Sequence, residues 1–175
     1  MAKKISIALT LVIIVVLGLA LMQPDSFTVQ RSAAIKAPPA KVMGYLNDFH
    51  QWETWSPWEK LDPNMQRTFE GAASGKGAVY GWSGNDEVGQ GRMEIVENAV
   101  PNQLAIKLDF IQPFASSNRT EFKLQPQGDT TLVTWTMSGP SQFATKLMSV
   151  FVSMDKMIGK DFEKGLAQLK QVAEK

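Results

Sequence analysis

The C-terminal stretch Ser141–Lys175 carries the clearest amphipathic pattern in this chain. Its apolar residues recur at steps of three and four, which is the period of a helix with one broad apolar face. They are Phe143, Leu147, Val150, Phe151, Met154, Met157, Ile158, Phe162, Leu166, Leu169 and Val172. Because such a face must be buried, the pattern predicts a long C-terminal helix that packs across the strands preceding it.

Two residues disturb this helical pattern. Gly159 lies inside it, and Asp161 would fall in the middle of the apolar arc of a straight helix. Either the helix is interrupted somewhere within Phe151–Gly159, or Asp161 faces the interior and has a partner there. We favour an interruption that leaves a shorter helix before a longer one, and the role of Asp161 stays open.

The middle of the chain changes to a period of two, punctuated by glycines, which is typical of half-buried strands. In its clearest segment Leu104, Ile106, Leu108 and Phe110 alternate with Ala105, Lys107 and Asp109. The predicted strands are Met65–Glu70, Gly77–Trp82, Gly89–Glu97, Gln103–Gln112, Ser116–Gln125 and Thr130–Ser138. The loops between them are short, so successive strands are expected to be neighbours in an antiparallel meander.

The segment before this meander predicts one more strand and a short helix. Phe27–Lys36 is the strand, and Pro39–Asp48 is the helix, because proline suits a first helical turn. Three of the five tryptophans, Trp52, Trp55 and Trp58, follow closely. The fold class is therefore α+β, with seven strands and a long C-terminal helix.

The N-terminus is strongly apolar. The run Ile5–Met22 has no charge and follows Lys3 and Lys4. A bilayer span needs ~20 apolar residues, whereas the apolar region of a cleaved signal peptide has roughly 7–15. The length favours a retained transmembrane helix over residues 1–24, although cleavage stays open. Because the lysines precede the span, we expect a cytoplasmic N-terminus and an extracytoplasmic domain over residues 25–175.

Composition excludes several kinds of site. The chain has no cysteine and one histidine, His50, so thiol chemistry and zinc sites rich in these residues are excluded. Without Lys3 and Lys4, the 18 basic residues become 16, against 17 acidic ones. A nearly neutral domain lacks the basic stripe of a nucleic-acid-binding protein. We expect no catalytic motif, no metal and no cofactor.

Several segments of the chain resemble the START-like, or SRPBCC, superfamily, and within it the polyketide cyclase/dehydrase-like group. They are Ala37-Pro38-Pro39, Tyr45-Leu46-Asn47-Asp48-Phe49, Trp52-Glu53-Thr54-Trp55-Ser56-Pro57-Trp58, Gly89-Gln90-Gly91 and Phe162-Glu163-Lys164-Gly165-Leu166. The resemblance implies a helix-grip fold, in which a curved antiparallel sheet wraps around the C-terminal helix and leaves an apolar cavity. It implies no shared set of catalytic residues, because the superfamily includes lipid carriers, receptors and cyclases.

Aromatic, aliphatic and methionine side chains are the candidates for lining such a cavity. We predict a ligand-binding set of Trp55, Trp58, Tyr80, Trp82, Ile106, Leu108, Phe110, Phe122, Trp135, Met154 and Ile158. The tryptophan cluster also has a simpler interpretation, since bulky rings beside a short helix often cap the open end of a core. Both interpretations can hold together.

These residues favour binding over catalysis. The leading hypothesis is a membrane-tethered domain that binds an apolar or amphipathic small molecule, such as a lipid. A cyclase or dehydratase is the alternative, and it would need an acid or base such as Glu94, Glu121 or Asp161 in the cavity. A third hypothesis is a non-catalytic role in membrane assembly with an unknown protein partner.

Overall fold

A computed structural model describes residues 2–175 of the chain. Its helices are α1 (Ala2–Leu21), α2 (Pro39–Leu46), α3 (Phe143–Ser149) and α4 (Met154–Ala173), with a short 3-10 helix at Phe49–Thr54. Its strands are β1 (Ser26–Ile35), β2 (Gln66–Gly71), β3 (Ala78–Ser83), β4 (Gln90–Ala99), β5 (Gln103–Gln112), β6 (Ser116–Gln127) and β7 (Thr130–Pro140). The predicted strands are confirmed, with ends that shift by a few residues.

All seven strands form one antiparallel sheet in the order β1-β7-β6-β5-β4-β3-β2. Strands β2 to β7 are a meander, as predicted, and β1 closes the β7 edge. The register places the start of β1 beside the end of β7, where Ser26 pairs with Pro140. We call this end of the sheet, which also holds the β3–β4 and β5–β6 connections, the α1 end. The β4–β5 and β6–β7 turns lie at the far end.

The inner face of the sheet packs against α4. Apolar side chains at every second strand position, such as Ile95, Ile106 and Phe122, are fully buried there. Helix α4 contributes buried residues at spacings of three and four, including Phe162, Leu166 and Leu169. This packing confirms the α+β helix-grip fold and the burial of the C-terminal helix across the sheet.

Polar contacts with β1 fix the position of α4. Arg31 donates to Asp155 and to Glu163, each at 2.7 Å, and so clamps the first half of the helix. At the other end of α4, Lys170 donates to the carbonyl of Ala34 at 2.7 Å. Gly159 is placed against Arg31, since a Cβ there would lie 2.0 Å from the guanidinium Nη2. The glycine thus allows the close approach rather than ending the helix.

The interruption of the C-terminal helix is confirmed, and it falls early in the predicted interval. Helix α3 ends at Ser149, and α4 begins at Met154, where Ser153 accepts a capping hydrogen bond from the backbone N–H of Lys156. The prediction that the whole apolar face packs across the sheet is wrong for the first part. Helix α3 packs against α1 instead, and Phe143 and Phe151 remain 51% and 72% exposed.

Helix α1 is one continuous apolar helix. The segment Lys3–Leu21 has a mean hydropathy of 2.6 and is almost entirely exposed. At 1.5 Å per residue its 20 residues extend about 30 Å, which matches the hydrocarbon thickness of a bilayer. Its length and composition fit either a membrane span or a signal sequence.

Candidate functional site: an apolar cavity between sheet and helix

An apolar cavity of about 210 Å³ lies between the inner face of the sheet and the first half of α4. It is bordered by Tyr80 and Trp82 of β3, Met93 of β4, and Leu108 and Phe110 of β5. Trp82, Met93, Leu108 and Phe110 lie toward the α1 end of their strands, and Tyr80 pairs with Met93 at the same level of the sheet. The cavity therefore occupies the half of the sheet that is nearest to α1.

Aromatic rings form one wall of this cavity. Trp135 of β7 stacks on Phe162 of α4 with ring centroids 4.0 Å apart and planes 9° apart. Trp58 stands edge-on to Trp135 at 5.8 Å. Offset and edge-to-face pairs of this kind are each worth ~0.5–1.5 kcal/mol beyond the area they bury. These ring contacts join the sheet to α4 along one side of the cavity.

The structure brings most of the predicted site residues to this cavity. Those that line it are Trp58, Tyr80, Trp82, Leu108, Phe110, Trp135 and Ile158. Six of them lie on strands or on α4, and Trp58 lies in the turn that follows the 3-10 helix. Their contact with a ligand stays a prediction.

The remaining four predicted residues lie outside the cavity lining. Ile106 and Phe122 are fully buried in the solid core, and Met154 packs against that core from the start of α4. Trp55 is 1% exposed, and its indole Nε1 donates to the carbonyl of Tyr45 at 3.0 Å. Trp55 therefore anchors the tryptophan segment to α2, which fits the capping interpretation of the cluster.

One carboxylate in the cavity wall is fully engaged. Glu59, which sequence reasoning missed, accepts hydrogen bonds from the Tyr80 hydroxyl at 2.6 Å and from Arg67 Nε at 2.8 Å. Burial, and then the hydrogen bond to Glu59, raises the pKa of the Tyr80 hydroxyl. Tyr80 therefore stays protonated, and the Glu59 carboxylate holds β2 and β3 together at this side of the cavity.

Only one of the three acid–base candidates borders the cavity. Asp161 of α4 is part of its lining. Glu94 and Glu121 alternate with inward-facing neighbours and point to the opposite face of the sheet, where they pair with Arg92 and Arg119. Both residues therefore lie on the outer face of the sheet, away from the cavity.

Sequence reasoning missed several other cavity residues. Met93 and Met137 have the same period-two signal as their buried neighbours, and Phe162 was on the predicted apolar helix face. Met65 lies just before β2, at the first position of a predicted strand, whereas Ser56 lies in irregular backbone, which carries no periodic signal. Periodicity could have found the two other methionines, Met65 and Phe162, and only the folded structure shows Ser56.

The polar groups of the cavity do not form a metal site. Within residues 2–175, no three histidine or acidic side chains lie close enough to hold a metal ion. The site is consequently an apolar cavity with a few polar groups at its border, which is the usual composition of a small-molecule site.

The chain belongs to the family described as "Polyketide cyclase / dehydrase and lipid transport", whose model matches residues 26–174. A search of curated proteins found no match. The family description names cyclases, dehydrases and lipid transport, and the family covers nearly all of the chain after α1.

Solved structures share this fold at low sequence identity. The Helicobacter pylori protein jhp0584 superposes with a TM-score of 0.64 at 12% identity, covering 84% of this chain and 88% of its own. A Thermobifida fusca protein solved by NMR has a TM-score of 0.61 at 23% identity and covers 83% and 92%. Protein CV1439 from Chromobacterium violaceum has a TM-score of 0.60 at 14% identity and covers 87% and 99%. These likenesses concern the fold alone.

Proposed function

We propose that this protein is a membrane-tethered, extracytoplasmic carrier or receptor that binds an apolar or amphipathic small molecule, such as a lipid, in the cavity between sheet and α4. The observation that carries the proposal is the cavity of about 210 Å³, walled by aromatic and aliphatic side chains. Well-packed cores hold few voids larger than a water molecule, so an apolar space of this size supports a binding role.

The volume sets the size of the occupant. An apolar cavity of about 150 Å³ takes up benzene, whereas pockets for drug-sized ligands span roughly 300–1,000 Å³. At about 210 Å³ the cavity accommodates one small ring system or part of an acyl chain. Burial of apolar surface, at ~25 cal/mol per Å², would drive such binding, and the costs of association would offset part of it.

Helix α1 supports the membrane tether. Its apolar surface is long enough for a bilayer, and Lys3 and Lys4 lie before the span. The positive-inside bias then places the N-terminus in the cytoplasm and the domain outside it. A tethered domain keeps its cavity near a store of apolar molecules.

Binding is tested on the purified full chain after delipidation. Native mass spectrometry of the protein before delipidation reports any co-purified molecule, and titration with a fluorescent fatty acid reports saturable uptake. Leu108→Trp should fill the cavity and abolish uptake, because Leu108 borders it. Leu132→Trp is the matched control on the outer face of β7. Absence of saturable uptake, or equal uptake by both variants, would refute the proposal.

A second candidate function, acid–base catalysis of the cyclase or dehydratase kind, is favoured by one observation, the position of Asp161 at the cavity. A carboxylate beside a bound polyketide-like substrate could exchange a proton with it. Asp161→Asn should then abolish turnover and leave binding intact. Turnover that survives this substitution removes the structural support for catalysis.

A further inference from the structure

We propose that the domain rests on the surface of the bilayer through an apolar patch beside α1, so that the cavity half of the domain faces lipid. The docking patch consists of Phe114 in the β5–β6 turn, Phe143 and Met148 in α3, and Phe151 and Val152 in the α3–α4 connection. This inference rests on the proposed tethering by α1, and it adds a second, independent contact between protein and lipid.

The first observation is that exposed apolar side chains concentrate at one end of the domain. Phe151, Phe114 and Phe143 are 72%, 64% and 51% exposed. Of the ten large apolar residues after Asp25 that are exposed, seven lie in the docking patch or next to it, at Ile111 and Met157. Contiguous exposed apolar surface on a folded domain marks an interaction site, whereas scattered residues need no explanation.

The second observation is that a hydrogen bond joins two parts of this surface that are distant along the chain. The side-chain amide of Gln142, just before α3, donates to the carbonyl of Ala115 in the β5–β6 turn at 2.9 Å. The turn and α3 therefore belong to one surface, although 28 residues separate Phe114 from the start of α3 along the chain.

The third observation identifies the occupant as the bilayer. Helix α3 packs against α1, and Ala20 in the last turn of α1 is fully buried. The backbone N–H of Ser141 donates to the carbonyl of Asp25 at 2.8 Å, which fixes the chain after α1 beside the start of α3. If α1 spans the bilayer, α3 must lie within about one helical turn, ~5 Å, of the hydrocarbon boundary. Interfacial helices bury their apolar face at that depth.

The charges of α3 are compatible with this position. Lys146 is the only charged residue of the helix, and its ammonium pairs with the carboxylate of Asp25 at 2.5 Å. The other residues of α3 and its connection to α4 are uncharged, and apart from Thr145, Ser149 and Ser153 they are apolar, so this surface continues the apolar surface of α1. A bilayer covers such a continuous surface in full, which is why we commit to lipid rather than to a protein partner.

The geometry also relates the docking patch to the cavity. Phe110 lines the cavity and lies four residues before Phe114 on the β5–β6 connection. Ile158 lines it from α4, next to the exposed Met157. An apolar molecule therefore has a short path between the bilayer and the cavity.

The absence of cysteine from the chain permits a direct test. Single-cysteine variants of the full chain, Phe151→Cys and Phe114→Cys, are labelled with an environment-sensitive fluorophore and reconstituted into phosphatidylcholine vesicles that contain a nitroxide-labelled lipid. Val100→Cys is the matched control, because Val100 is 57% exposed but lies at the far end of the sheet, one strand length or roughly 33 Å away. Ile13→Cys, in the middle of α1, reports the tether itself.

We expect quenching by the lipid at positions 13, 114 and 151 that is several-fold stronger than at position 100. Strong quenching at position 13 combined with equal, weak quenching at 114, 151 and 100 would overturn the docking inference and leave the tether intact. Weak quenching at position 13 would show that α1 does not insert, and the proposed tether would fail with it. Labelling position 114 or position 151 replaces one side chain of the docking patch. Agreement between these two positions shows that the quenching does not depend on which side chain was replaced.

Discussion

Replacing Gly165 by alanine has two opposite effects on stability, because it favours the helix and also inserts a methyl group into a tightly packed contact. Gly165 lies inside α4, where a Cβ would lie 2.8 Å from Cζ3 of Trp135 and 3.1 Å from Cδ of Pro57. The first distance is shorter than real Cβ contacts, so one partner must move. Trp135 is held on both sides, because it stacks on Phe162 at 4.0 Å and contacts Phe122 at 4.9 Å.

The sizes of these two effects decide whether the substitution raises or lowers the free energy of unfolding. Alanine in place of a mid-helix glycine stabilises a helix by about 0.5–1 kcal/mol. Insertion of a methyl group into a well-packed region costs about 1–3 kcal/mol. Because a rigid ring and a proline oppose the new methyl group of Gly165→Ala, we expect a net loss of about 0.5–2 kcal/mol in the free energy of unfolding. For a protein of this size that lowers Tm by about 1–8 °C.

Gly44→Ala is the matched control. Gly44 lies in α2, and nothing comes within 4 Å of a Cβ placed there, so the substitution changes only the helix propensity. Its Tm should rise by about 1–4 °C. Thermal unfolding of both full-length variants in detergent, followed by tryptophan fluorescence, gives the comparison. A Tm that rises equally in the two variants would refute the reasoning that α4 and Trp135 are in tight contact.

Two further predictions concern charged groups. Glu59→Gln should lower the free energy of unfolding by about 1–3 kcal/mol, because Arg67 loses its carboxylate partner. Glu70 is exposed, so the control Glu70→Gln should change the free energy of unfolding by less than about 0.5 kcal/mol. Denaturant titrations measure both values. The hydrogen bond from Arg31 lowers the pKa of Asp155 below its ordinary value of 3.8. The stability that this interaction contributes is therefore present above pH 3.8 and is lost as the pH falls through the folded-state pKa. The fall in Tm below about pH 4 should then be shallower in Asp155→Asn than in the wild type, and equal slopes would contradict the prediction.

The fold could be predicted because its signals are local. Alternation such as that of Leu104, Ile106, Leu108 and Phe110 identifies a strand and its buried face, and short connections then require an antiparallel meander. The interruption of the C-terminal helix was also predictable, because one acidic residue, Asp161, fell on the apolar arc. In the structure the helix is interrupted before Met154, and Asp161 nevertheless borders the cavity.

The position of the cavity along the sheet could not be predicted. A period of two shows which face a residue occupies, but Ile106 and Leu108 share that face, and only Leu108 borders the cavity. A void forms where side chains from distant segments fail to meet, so it depends on packing across the whole core. Glu59 shows the same limit, because its partners Tyr80 and Arg67 come from two different strands.

The interruption between α3 and α4 links the cavity to the docking patch. In a continuous helix, Phe151 would lie one turn before Met154 and two turns before Ile158, on the face that covers the sheet. Because α4 begins only at Met154, the preceding residues leave the sheet and join α3 beside α1, where Phe151 is 72% exposed. The same break therefore takes apolar side chains away from the sheet and presents them on the side of the domain from which α1 emerges. A domain whose surface gains those side chains beside α1 fits the proposed exchange of an apolar molecule between the cavity and the bilayer.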